Sequence, residues 1–299
     1  MQTKIKMRTK KLIVHLAVFL SFFAANPGYS KSMVWKISKD ADQFYLGGTF
    51  HLLSESDHPL PEEFMEAYDN ADEIIFESDL AGAQSPAFQQ KMMGIMTYQD
   101  GQTLSSELSN STYQQLKDFM AERRMPIEQF APFKPWAVTL ILTVQEYTAL
   151  GMLPEFGVES VLERRARKDG KEVQSLETTD QQISFLASLE NVEPNKSIQY
   201  FIRDIEKIPE AISDLKNGWR AGNLAEIENN ALTVQMRDEY PEIYETLIVK
   251  RNNDWMKTLT SLFDDDAIEV VFVGAMHLTS KDGLLNQLEQ RGFTITQLD

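Results

Sequence analysis

Gln43-Phe44-Tyr45-Leu46-Gly47-Gly48-Thr49-Phe50-His51 near one end of the chain and Glu269-Val270-Val271-Phe272-Val273-Gly274-Ala275-Met276-His277 near the other share one pattern. Each reads as a short apolar strand, a glycine, two residues and a histidine. Glycine after a strand lets the backbone turn sharply or approach another group closely. A histidine just past that turn sits at the carboxyl end of a strand, where open α/β sheets place their ligands. The chain has only four histidines in 299 residues, so two in matching frames single out a site.

Working outward, Val34-Trp35-Lys36-Ile37 and Phe44-Tyr45-Leu46 predict a β-hairpin joined through Lys39-Asp40-Ala41-Asp42. His58-Pro59-Leu60-Pro61 then opens a helix ending near Asn70, and Glu73 to Phe76 is a short strand that terminates in Glu77. Strand, helix and strand in close succession favour a parallel pair. Apolar residues at i, i+3, i+4 predict helices over 111–122, 135–150 and 158–168, punctuated by Pro126, Pro132, Pro135 and Pro154. A strand, Glu172 to Leu176, runs into Glu177. Helices are expected over 181–189, 196–208, 211–217 and 224–236, and one longer helix over 241–263. The chain closes with strand 268–273, the second Gly-x-x-His turn, helix 282–290 and strand 293–297. The fold expected is α/β, a mixed sheet built from N- and C-terminal α/β units around a large helical middle section.

Residues 1–30 read as a signal peptide, leaving 31–299 as one domain. Lys4, Lys6, Arg8, Lys10 and Lys11 form a basic segment ahead of the apolar run Leu12 to Ala25. That run is short for a membrane span. Gly28-Tyr29-Ser30 offers small residues for cleavage near Ser30, with Ala25 the competing position. A periplasmic or secreted protein with no stable membrane span after cleavage is therefore expected. The chain has no cysteine, which excludes disulfides and thiolate chemistry. Loss of the leader's five positive charges takes the formal net charge from −16 to −21. So acidic a chain repels phosphate backbones, and no nucleic-acid partner is expected.

His51, Glu77, Glu177 and His277 all follow predicted strands, so parallel neighbours would bring them to one rim of the sheet. Two imidazoles with a carboxylate suit a divalent metal with open positions. His51, Glu77 and His277 are the expected ligands, and Glu177 is the candidate general base. Arg251, in a helix, is a candidate clamp for a substrate carboxylate or an oxyanion, against the plainer alternative of a surface ion pair with Glu245 or Asp254. Glu77 has a competing reading as a helix cap, a job that Asp79 can do instead; Thr178, Thr179 or Asp180 can cap the helix after Glu177. His58 reads as an exposed loop residue, and Lys134-Pro135-Trp136 as a helix start that buries an indole. No His-Glu-x-x-His, Walker, Gly-x-Gly-x-x-Gly or Gly-x-Ser-x-Gly motif occurs.

The same residues resemble the TraB/GumN family, which includes bacterial pheromone-shutdown and GumN-like proteins and the animal Tiki proteases. The similarity runs through Val34-Trp35, Tyr45 to Leu53, Pro59-Leu60-Pro61 and Ile74-Ile75-Phe76-Glu77. It continues through Lys134-Pro135-Trp136, Gly157-Val158-Glu159, Leu176-Glu177-Thr178, and Arg251-Asn252 with Trp255. Val273 to Leu278, Gly283-Leu284 and Arg291-Gly292-Phe293 close it. Phe50 stands where an aliphatic residue is more usual, and Glu159 where Asp is, so Glu159 is not taken as a ligand. The resemblance implies an α/β fold whose site is formed by the two Gly-x-x-His histidines and the early Glu. It implies a metal-dependent peptidase using Mn2+ or Co2+, with Zn2+ as a further option and a peptide or small molecule as substrate. Related branches include erythromycin esterases and a haem-binding lipoprotein. The alternatives are thus a non-catalytic haem-, metal- or peptide-binding protein, or a metal-free esterase-like hydrolase with His51 as base.

Overall fold

β1 (Val34–Lys39) and β2 (Asp42–Thr49) form the expected hairpin, turning at Asp40, whose φ of 55° lies in the left-handed region. The computed structural model describes residues 31–264 and 266–299; the signal peptide expected over 1–30 lies outside the described residues. β3 (Glu73–Ser78), β4 (Glu172–Glu177), β5 (Glu269–Gly274) and β6 (Thr294–Gln297) complete a six-stranded mixed sheet in the order β4-β3-β5-β2-β1-β6. β4, β3, β5 and β2 run parallel, so their carboxyl ends share one edge. β1 and β6 are antiparallel additions on the far side.

The central strands are apolar along their whole length because helices cover both faces of the sheet. Ile74, Ile75, Phe76, Val270, Val271 and Phe272 are all buried. The outer strand β4 instead exposes Glu172 through Ser175, all polar but Val173, and its charged and amide side chains discourage pairing with another chain. Gly47 and Gly48 let β2 press against its surroundings. A Cβ on Gly47 would fall 2.6 Å from the Phe272 ring, and one on Gly48 would fall 2.7 Å from Leu278 and Met33.

The helical middle lies over the carboxyl edge. Trp219, on helix Ile208–Arg220, is fully buried, donates its indole N–H to the Gly48 carbonyl at 2.7 Å, and packs against Phe50 and Phe64. Among the described residues no helix is long and apolar enough to cross a membrane.

Four expectations need correction. β2 and β3 are not paired with each other: β5 from the far end of the chain inserts between them. Helix Pro86–Met96 was not expected, and it buries none of its residues. The single helix expected over 241–263 is Pro241–Tyr244, then a π-helical turn Glu245–Lys250, then Arg251–Ser261. His58 is half-buried rather than exposed, with its Nε2 2.8 Å from the Phe156 carbonyl.

Candidate active site

Glu177, Gly274 and Thr49 end three of four parallel strands that lie side by side, and Glu77 is one residue from the end of the fourth. Along this edge Thr49, Glu77 and Gly274 form the floor of a cavity of about 450 Å3. The strand ends bring the predicted side chains together around Gly274. A Cβ placed there would be 3.5 Å from both Nε2 of His51 and Oε2 of Glu77, and 3.6 Å from Cδ2 of His277. The two histidines, 226 positions apart in sequence, thus face one cavity.

The two frames reach that point differently. Thr49 pairs with Gly274, so Gly48 lies one residue deeper in its strand than Gly274 does. His277 follows in a tight 3-10 turn, Ala275–Leu278, and is buried. Its Nδ1 lies 2.7 Å from Oδ1 of Asn252. Asn252 spends both amide hydrogens on the carbonyls of His277 and Asp282, at 3.1 and 2.9 Å, so its Oδ1 accepts and Nδ1 of His277 carries the proton. Nε2 therefore keeps its lone pair. Burial, joined by the nearby charges of Arg251 and His51 and opposed by Glu77, lowers the pKa of His277 to about 3.

His51 has the opposite partner. Its Nδ1 is 2.7 Å from Oε1 of Glu159, an oxygen that also accepts from the Thr49 hydroxyl. Glu159 is buried in the first turn of helix Val158–Asp169, brought in by a clamp between two loops. Val158 donates its N–H to the Phe50 carbonyl at 3.0 Å, and a Cβ on Gly157 would fall 2.1 Å from the carbonyl oxygen of His51. The charge of Glu159 is the main reason the His51 pKa is raised, to about 9. The side chain of His51 is 62% exposed, so solvent screens part of this effect, but the carboxylate partner sets its direction.

Arg251 is no surface residue. Its Nε and Nη2 bind both oxygens of Glu177 at 2.7 and 2.8 Å, and Nη2 also reaches Oε1 of Glu77 at 2.5 Å. The other Glu77 oxygen accepts the Gly274 N–H at 2.9 Å. Burial alone would raise the pKa of Glu77, and the charge of Arg251 reverses this and holds the carboxyl well below its usual range. Glu177 also accepts the Trp255 indole N–H at 2.9 Å, and burial leaves its pKa raised despite these partners. Glu177 stands behind Arg251 and is not part of the cavity wall, whereas Glu77 and Arg251 are. Asp79 caps Leu80–Ala83 and Thr178 caps Thr179–Ala187, so neither Glu77 nor Glu177 is needed as a cap.

Nε2 of His51, Nε2 of His277 and Oε2 of Glu77 are donor types that suit manganese, cobalt or zinc. Their placement does not gather them: among the described residues no three His, Asp or Glu side chains form a group that could hold an ion. The cation shared by Glu77 and Glu177 is the Arg251 guanidinium, whose Nη1 also lies 3.4 Å from Nε2 of His277. As they stand, the residues do not fit a three-ligand metal centre.

The family model described as TraB/PrgY/gumN family matches residues 33–297. The chain belongs to this family. Among its TraB/PrgY/gumN relatives is the Escherichia coli (strain K12) protein described as uncharacterized protein YbaP, 24% identical over 248 residues. That match covers 82% of this chain and 87% of the relative. A Shigella flexneri protein of the same description is 24% identical over 247 residues, with the same coverage. No solved structure matches the chain significantly.

Glu77, His277, Arg251 and Glu177, all singled out in the sequence, form one connected cluster in this TraB/PrgY/gumN fold, and His51, singled out with them, faces the same cavity. Two residues that the sequence reading did not assign to the site complete it. Glu159 fixes His51, and Asn252 fixes His277. The available signals were the glycine two positions before Glu159, at a helix start, and the direct adjacency of Asn252 to Arg251.

Proposed function

We propose that the cavity is a hydrolytic site for peptide or amide bonds, worked by two histidines held in opposite protonation states. The observation that supports this most is the contrast at Nδ1: a carboxylate holds His51 and an amide oxygen holds His277, while both rings face the same point beside Gly274. Environments that push two titratable groups apart assign acid and base. His277, neutral, would take a proton on Nε2 from a water attacking the carbonyl carbon. His51, an imidazolium, would polarise the carbonyl oxygen and then protonate the nitrogen as the C–N bond breaks. Exchange with solvent returns both rings to their starting charges. Glu77, kept ionised by Arg251, would stabilise the imidazolium that forms on His277, since its Oε2 is 3.9 Å from Nε2. In this scheme Arg251 and Glu177 are positioning residues: the guanidinium is already engaged by two carboxylates, and Glu177 holds it.

A metal-assisted variant of the reading has one observation in its favour. His277 is held neutral and presents an Nε2 lone pair close to a carboxylate, the state that a metal ligand requires. A bound Mn2+, Co2+ or Zn2+ would supply a water of lowered pKa. The experiment is a peptide library assayed with residues 31–299, in chelator and after addition of each ion, alongside His51→Ala, His277→Ala and Glu77→Gln. Cleavage that survives chelator and falls at least ~100-fold in both histidine variants supports the acid–base scheme. Activity that appears only with an ion moves the assignment to the metal variant. Stoichiometric binding of a peptide or haem with no product in any condition would make this a binding protein instead. The leader also supports export to the periplasm or beyond, which cell fractionation of the full chain tests.

A further inference from the structure

Resting on the hydrolytic reading, we infer that the substrate carries a large, uncharged apolar side chain next to the bond that is cut. The floor of the cavity is ionic, but its walls are not. Phe50 rises from the end of β2, Phe185 and Leu186 from helix Thr179–Ala187, Leu215 from Ile208–Arg220, Ile227 from Leu224–Asn229 and Leu247 from the π-helical turn. Six apolar side chains from five separate elements converge on one space of about 450 Å3, a volume suited to a short segment of chain rather than a folded surface. Every charge on the floor already has a partner: Arg251 has Glu77 and Glu177, and His51 has Glu159. A charged substrate side chain would therefore lose its water against apolar walls and gain no counter-ion.

One residue of the upper wall breaks the apolar pattern. Gln182 lines the cavity, and among the described residues its buried Oε1 has no hydrogen-bond partner. That oxygen is turned away from the open space, so the wall offers the substrate chiefly its apolar side chains.

The test uses N-acetylated pentapeptides that differ only at the residue before the cleaved bond, together with N-acetyl-phenylalaninamide, N-acetyl-lysinamide and N-acetyl-aspartamide as calorimetric probes. Phenylalanine or leucine peptides should exceed their glycine, lysine and aspartate counterparts by tenfold or more in kcat/KM. Leu186→Asp and Met236→Glu, both at half-buried wall positions, should each reduce that ratio at least fivefold. Cleavage without apolar preference would overturn the inference and leave the hydrolase standing. If no peptide is cut, the hydrolytic reading fails, and the probes still decide the rest. Tighter binding of the phenylalanine probe, weakened by either wall variant, upholds the apolar site, while equal binding of all three removes it. Should neither variant fold, as judged by circular dichroism, the ratios measured on the parent protein settle the question.

Discussion

Gly274 is the residue on which the site turns. Its φ of −53° and ψ of 136° are open to any amino acid, and an added methyl would make only ordinary contacts at 3.5–3.6 Å. The methyl would nevertheless occupy the point shared by His51, Glu77 and His277. Gly274→Ala should therefore melt within a few degrees of the parent yet lose at least ~10-fold in kcat/KM, because misplacement of reacting atoms is costly. Arg251 predicts the reverse pattern, a stability effect first. Removing it leaves two buried carboxylates without a counter-charge, and Arg251→Ala should cost about 3–5 kcal/mol in urea unfolding. Arg251→Lys, which keeps charge but not the two-pronged grip on Glu177, should fall between. The histidines, Glu77 and Glu177 were legible in the sequence because strand ends and a glycine frame announce position, whereas Arg251 was legible only as a helical arginine with a surface ion pair as its plainer reading. Glu159 and Asn252 were not, since each earns its role through a partner that the linear order does not show.

At the scale of elements, the turn Glu55–Asp57 is tied to helix Ile208–Arg220 by Lys216, whose Nζ lies 2.8 Å from both Asp57 carboxylate oxygens. Burial would raise the pKa of Asp57, but the hydrogen bonds from Lys216 and Ser54 outweigh it and the net shift is downward. A carboxyl lowered by folding stabilises the fold above its unfolded pKa and ceases to do so as pH falls through its folded value. Lys216→Met should therefore cost about 1–2 kcal/mol near neutral pH, and the cost should shrink as pH drops below the unfolded value of about 3.9. Urea titrations across that range read the effect directly. The main helices were legible because their apolar periodicity reflects real burial. Helix Pro86–Met96 escaped because it buries no side chain and so leaves no such imprint. The π-helical turn before Arg251 was equally hidden: one widened turn leaves the apolar pattern nearly unchanged while rotating everything that follows.

For the whole molecule, the described fold starts at Ser32, which is fully buried and donates its N–H to the Leu298 carbonyl at 3.3 Å. Met33 is fully buried too, and its carbonyl accepts the Gly48 N–H at 2.7 Å. Deleting residues 1–30 should leave the melting temperature within a few degrees of the full chain. Deleting through Met33 should cost about 2–5 kcal/mol, the range for emptying a core position. An α/β fold with a helical middle could be read from the order of elements. The neighbours of each strand could not: sequence proximity argued for β2 beside β3, and only burial on both faces of β5 shows why the late strand takes the central place.

That central place has a consequence for how the protein comes into being. Tyr45 pairs with Val270, so the sheet closes only when a strand made more than 200 residues later slots between β2 and β3. Such distant pairing makes assembly slow and late. A nascent chain halted before Glu269 would hold His51 and Glu77 but lack both His277 and the strand that separates β2 from β3.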